Sequence, residues 1–167
     1  MRVYVPATFE ILRELNENGV FTARSGWGFA VTPTLIESFE SGDEEEIAHF
    51  AFIDAARASL RLLGMGVSQH PHRRVVITAD LPDEQVTLAD DQGDTVVKIQ
   101  PAHIALSEVA ALHVDIESSE EATAKAIDAI HAADLGDEDA ELAVGDADDN
   151  FMAWYDPVEL PFLIELS

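Results

Sequence analysis

The sequence predicts an α+β domain, an antiparallel sheet with helices packed on it. Three observations carry this expectation. The main elements run strand, helix, strand, strand, helix, strand, which is not the regular alternation of a parallel α/β fold. A clear turn at Asp90-Asp91-Gln92-Gly93-Asp94 divides two short apolar runs, as in a β-hairpin. Hydrophobic residues make up 47% of 167, enough for a core without a disulfide or metal staple. The order permits a ferredoxin-like sandwich, four antiparallel strands with two helices on one face, with insertions at 20–42 and 84–106. The whole chain, 1–167, reads as one domain.

Val3-Tyr4-Val5 is a continuous apolar run, which suits a central strand buried on both faces. Thr8 is placed to cap a helix through Asn18 whose Ile11, Leu12 and Leu15 face the core, and Gly19 sits at the C-terminal cap position. Residues 26–31 run from a loop into a short strand. Thr32-Pro33 starts a short helix that ends before Gly42. Asp43 caps the clearest helix, with Glu44, Glu45 and Glu46 in its first turn and Gly64 as its expected terminator. Its apolar positions, Ile47, Ala51, Phe52, Ala55, Ala58, Leu62 and Leu63, cover more than half the circumference and leave a polar stripe at Asp54, Arg57 and Arg61.

Val75–Ala79 is the strongest strand candidate. Val86–Leu88 and Thr95–Ile99 form the hairpin. One helical turn is expected at Ser107–Ala111, then a strand at Leu112–Ile116. Ser118 with Glu121 has capping-box spacing and opens a helix to Ala133. The acidic stretch 134–149 reads as a solvated loop, and Phe151–Tyr155 as the last strand.

The formal charge is −24, from 33 acids against 9 bases. It is uneven: residues 1–83 hold 12 acids and 7 bases, the remainder 21 acids and 2 bases, Lys98 and Lys125. Such a balance excludes broad binding to nucleic acid backbone or an anionic membrane. It suits either a high-salt cytoplasm or an acidic face presented to a basic partner, at the extreme a mimic of nucleic acid. There is no cysteine, hence no disulfide framework or thiolate metal site. No signal-peptide core, transmembrane run or lipidation signal stands out, so a cytoplasmic location is expected.

Four of the nine bases, Arg57, Arg61, Arg73 and Arg74, fall within 18 residues. Converging guanidinium forks would bind a phosphate or carboxylate ligand. The competing reading makes them counter-charges for Asp54 and the surrounding acids. His70-Pro71-His72 has metal-like spacing but lacks further ligands and abuts Arg73-Arg74. Asp146, Asp148 and Asn150 open like a calcium loop, yet Phe151 and Pro157 stand where glycine and glutamate are needed. No nucleophile elbow, phosphate loop, zincin or dinucleotide motif occurs, and no cofactor is expected. Trp27, Trp154 and Tyr155 read as core, or as lining an interface.

The opening Met1-Arg2-Val3-Tyr4-Val5-Pro6-Ala7-Thr8, the central Phe52-Ile53-Asp54-Ala55-Ala56-Arg57-Ala58-Ser59-Leu60-Arg61 and the ending from Trp154-Tyr155 through Glu159-Leu160-Pro161-Phe162-Leu163 resemble an uncharacterised family of short actinobacterial proteins. The resemblance implies a bacterial cytoplasmic protein from a high-GC genome, which weakens the high-salt reading. It transfers no site residue.

The leading expectation is a non-enzymatic binding or regulatory protein that offers its acidic surface to a basic partner. The rival is an anion-binding protein or enzyme centred on the four arginines. A third reading is self-association through the apolar ending at Phe162 and Leu163.

Overall fold

In the computed structural model, which describes residues 1–65 and 71–165, local capping chemistry sets the first half of the chain. Strand β1 (Arg2–Ala7) leads into α1 (Phe9–Asn18), where Thr8 Oγ1 accepts from the Ile11 amide at 3.4 Å. Gly19 ends that helix at φ +71°, the left-handed geometry a side chain disfavours. Next come β2 (Val20–Thr22), β3 (Trp27–Phe29) and α2 (Pro33–Glu37), with Thr32 Oγ1 capping the Leu35 amide. Asp43 Oδ1 accepts from the Glu46 amide at 2.9 Å and opens α3 (Glu44–Met65). The expected stop at Gly64 is corrected: Gly64 lies within the helix.

Strand β4 (Val75–Asp80) is followed by β5 (Val86–Leu88), β6 (Val96–Ile99), β7 (His103–Ala105) and β8 (Val109–Asp115). β5 and β6 form the expected hairpin. The helical turn expected at 107–111 is a 3-10 turn over 106–108, because Val109 and Ala111 are already paired to Ala79 and Thr78. Helix α4 (Glu120–Asp134) is entered through a 3-10 turn at 117–119, and Ser119 precedes it without a side-chain cap. The Ser118–Glu121 capping box is therefore replaced. Then follow α5 (Glu138–Asp148), β9 (Met152–Tyr155) and α6 (Leu160–Glu165). Among the described residues, no helix is long and apolar enough to cross a membrane.

Seven strands form one sheet in the order β5-β6-β3-β1-β4-β8-β9, every neighbour antiparallel. Val5 pairs with Ile77, and Ile77 with Leu112. The α+β class and the antiparallel sheet are as expected. The ferredoxin-like order is corrected. A split βαβ unit sets another strand between its first two, whereas β1 pairs with β4 over its whole length. The insertions at 20–42 and 84–106 are not appendages: β3, β6 and β5 extend the sheet beyond β1, and β2 pairs with β7 in a separate ribbon.

Both sheet faces are covered, which explains the unbroken apolar runs of β1 and β4. Val3, Val5, Ala7, Val75, Ile77 and Ala79 pack with Phe9, Leu12 and Leu15 of α1, Phe21 of β2, Ile104 of β7 and Leu160 of α6. On the opposite face Tyr4, Phe29, Val76 and Met152 meet Phe52, Ala55 and Ala56 of α3. The far side of α3 is closed by the α4–α5 pair through Leu60, Ala126, Ile130, Val144 and Ala147. Each fully buried Leu, Ile or Phe contributes about 1.5–3 kcal/mol. Small residues along α3 let it approach the sheet. Ser59 is wholly buried and donates to the Ala7 carbonyl at 2.8 Å while accepting from the Val75 amide at 3.0 Å, joining β1 to β4.

Candidate functional site

Arg57 and Arg61 lie one turn apart on α3, and Arg73 and Arg74 directly precede β4. The structure sends their guanidinium groups to four different carboxylates rather than to one shared anion position. Arg57 Nε and Nη2 donate to Asp148 Oδ2 at 2.9 and 2.7 Å. Arg61 grips Asp134 in a fork, both contacts 2.8 Å. Arg73 Nε donates to Glu120 Oε1 at 3.0 Å. Arg74, 1% exposed, forks onto Asp115 at 2.9 and 2.7 Å, and its backbone amide donates to Asp115 Oδ2 at 2.8 Å. Thr123 Oγ1 donates to the same oxygen, and Arg74 Nη2 reaches the Asn150 carbonyl.

The partners show what the cluster does. Glu120 and Asp134 are the first and last residues of α4, Asp148 is the last of α5, and Asp115 ends β8. The arginines fasten the α4–α5 pair to α3 and to the sheet. Asp54, the anticipated counter-charge, instead accepts from Thr95 Oγ1 at 2.6 Å. An external anion would have to displace a bound carboxylate from each fork. The Arg61 fork also holds the Asp134 carboxyl below the usual carboxylate range.

The acidic stretch is corrected from loop to helix. Asp137 Oδ1 accepts from the Ala140 amide at 2.9 Å, and Glu138, Asp139 and Glu141 sit in the first turn, where the dipole favours negative charge. Val144 and Ala147 face inward. Asp137, Glu138, Asp139, Glu141, Asp146 and Asp149 face solvent, with no basic partner within ion-pair distance among the described residues. Leu142 is 69% exposed in their midst. Because Asp146 and Asp148 are helical, and Asp148 is tied to Arg57, the calcium-loop start does not form. Among the described residues, no group of three His, Asp or Glu is placed to hold a metal ion. His70 lies outside the described residues.

Beside Arg74 a cleft of about 480 Å³ is lined by His49, Phe52, Asp148, Asn150 and Phe151, among others. The other three arginines do not line it. Across β8, His113 Nε2 pairs with Thr78 Oγ1 at 3.0 Å and meets Phe52 edge-on, and burial pushes its pKa down to about 4. Trp27 lies under the Lys98 ammonium, 4.4 Å from its ring centre. Tyr155 packs against the core, whereas Trp154 is 57% exposed on β9. Of the apolar ending, Leu163 faces the core and Phe162 faces solvent. Sequence reasoning missed the environment of His113 and the exposure of Trp154, since both depend on which strand lies at the sheet edge.

Residues 1–164 match the model of DUF6912, a family of unknown function, and the chain belongs to that family. No curated protein and no solved structure matches it.

Proposed function

We propose that this member of a family of unknown function is a non-enzymatic binding or regulatory protein that presents an acidic surface to a basic partner in the cytoplasm. One observation carries the reading. The densest acidic stretch contains a formed helix whose solvent face bears Glu138, Asp139, Glu141 and Asp146 around an exposed Leu142, with Asp149 at its C-cap, while the nearby arginines are spent on Asp134 and Asp148. A fixed helix offers these charges in one geometry, which favours selective docking over diffuse attraction. The four arginines serve this surface by anchoring it.

The test is calorimetric titration with a lysine-rich amphipathic helical peptide. Two variant sets remove equal charge: Glu138→Gln, Asp139→Asn and Glu141→Gln on α5, against Glu44→Gln, Glu45→Gln and Glu46→Gln on α3. The α5 set should lose roughly tenfold in affinity and the α3 set little, with wild-type binding weakening as salt rises. Equal losses in both sets, or no binding at low salt, would overturn the proposal.

A further inference from the structure

The acidic helix α5 leads directly into β9, and β9 is the outermost strand of the seven-stranded sheet. Its inner side pairs with β8 from Leu112↔Tyr155 to Asp115↔Met152. Among the described residues, no backbone hydrogen bond leaves its outer side. Natural sheets blunt such edges with lysine, proline, bulges or a covering segment. Met152-Ala153-Trp154-Tyr155 has none of these within the strand. It carries instead an indole 57% exposed, with Phe151 69% exposed just before it. The opposite edge strand, β5, is shorter and offers Thr87 and Leu88 rather than an aromatic anchor.

We propose that β9 is a docking edge that accepts an extended basic segment of a partner as an eighth strand. The proposal rests on the basic-partner reading above and specifies its geometry. Main-chain pairing along β9 supplies affinity, and side chains at alternate positions supply selectivity. Charge selects the occupant. Asp149 and Asp156 flank the strand, and the C-terminal end of α5 stands beside its start. A second copy pairing antiparallel would bring the acid-flanked ends of two such strands together, between two chains of charge −24. A lysine or arginine strand meets those carboxylates favourably and lays a cation over Trp154, as Lys98 already does over Trp27.

The test uses a synthetic peptide of alternating lysine and valine and the same peptide N-methylated on alternate amides, which keeps the charge but blocks one main-chain edge. The unmodified peptide should bind at least roughly tenfold more tightly, because strand addition requires those amides. It should also slow hydrogen exchange in β9 and not in β5. Trp154→Ser should weaken it several-fold while leaving thermal stability nearly unchanged. Equal binding of both peptides would overturn strand addition yet leave the acidic-surface reading standing; binding of neither would also overturn strand addition, while the helical-peptide titration decides the acidic surface. Protection of β9 in the free protein, together with a dimer in sedimentation, would overturn the proposal in favour of a second copy as the occupant.

Discussion

Replacing Asp115 with alanine should be among the most damaging single changes in this protein. Its carboxylate is buried and receives hydrogen bonds from Arg74 N, Nε and Nη2 and from Thr123 Oγ1. Removing it leaves a guanidinium only 1% exposed to water and paired with little beyond the Asn150 carbonyl. Breaking a buried pair from one side costs about 3–5 kcal/mol. Domains of this kind have roughly 5–15 kcal/mol in total, so the loss is about a fifth of the stability or more. The matched comparison is Asp134→Ala, which breaks a similar fork on Arg61 at a half-exposed site. Exposed pairs are worth about 0–1 kcal/mol. Urea denaturation followed by far-UV circular dichroism gives both numbers, and the slope m should stay constant. Arg74→Met combined with Asp115→Leu should recover part of the loss. The remaining deficit, about 1–3 kcal/mol per group, comes from the stranded Arg74 amide and Thr123 hydroxyl. If Asp115→Ala cost no more than Asp134→Ala, burial would not be what distinguishes these pairs, and the reasoning would fail.

Two further predictions concern the sheet. Gly28→Ala places a Cβ 2.6 Å from Val3 Cγ1 and 3.0 Å from Ile99 Cδ1, so it should destabilise by about 1–3 kcal/mol through overpacking, measured by the same denaturation. His113 has a folded pKa depressed to about 4 against an ordinary 6.5, so it contributes stability that is present above pH 6.5 and lost as the pH falls toward 4. The lost amount is on the order of 3 kcal/mol. His113→Asn should flatten that part of the stability–pH curve relative to wild type, and an unchanged slope would show that His113 is not the linked group.

The capping signals were the most legible part of the fold. Thr8, Gly19, Thr32 and Asp43 all act within a few residues of their own position, through contacts that local geometry permits or forbids. The β5–β6 hairpin is legible for the same reason: its turn and both strands are close neighbours in the chain. The acidic stretch misleads because charge hides its helical pattern. Only Val144 and Ala147 face the core in α5, too few to stand out among eight acids.

The candidate site was half legible. Arg57, Arg61, Arg73 and Arg74 are conspicuous by their rarity, but their partners lie 91, 73, 47 and 41 residues away. Nothing local distinguishes Asp148, Asp134, Glu120 and Asp115 from the other acids.

What the sequence determined by itself is the elements with strong local patterns, the caps at Thr8, Gly19, Thr32 and Asp43, and the excess of negative charge, because these follow from short-range sterics, hydrogen bonding and composition. What only the tertiary structure decided is the order of strands, which arginine meets which carboxylate, and which strand is left at the edge. Those outcomes depend on burying both faces of β1 and β4 at once, and that requirement is met only when segments distant in the chain come together.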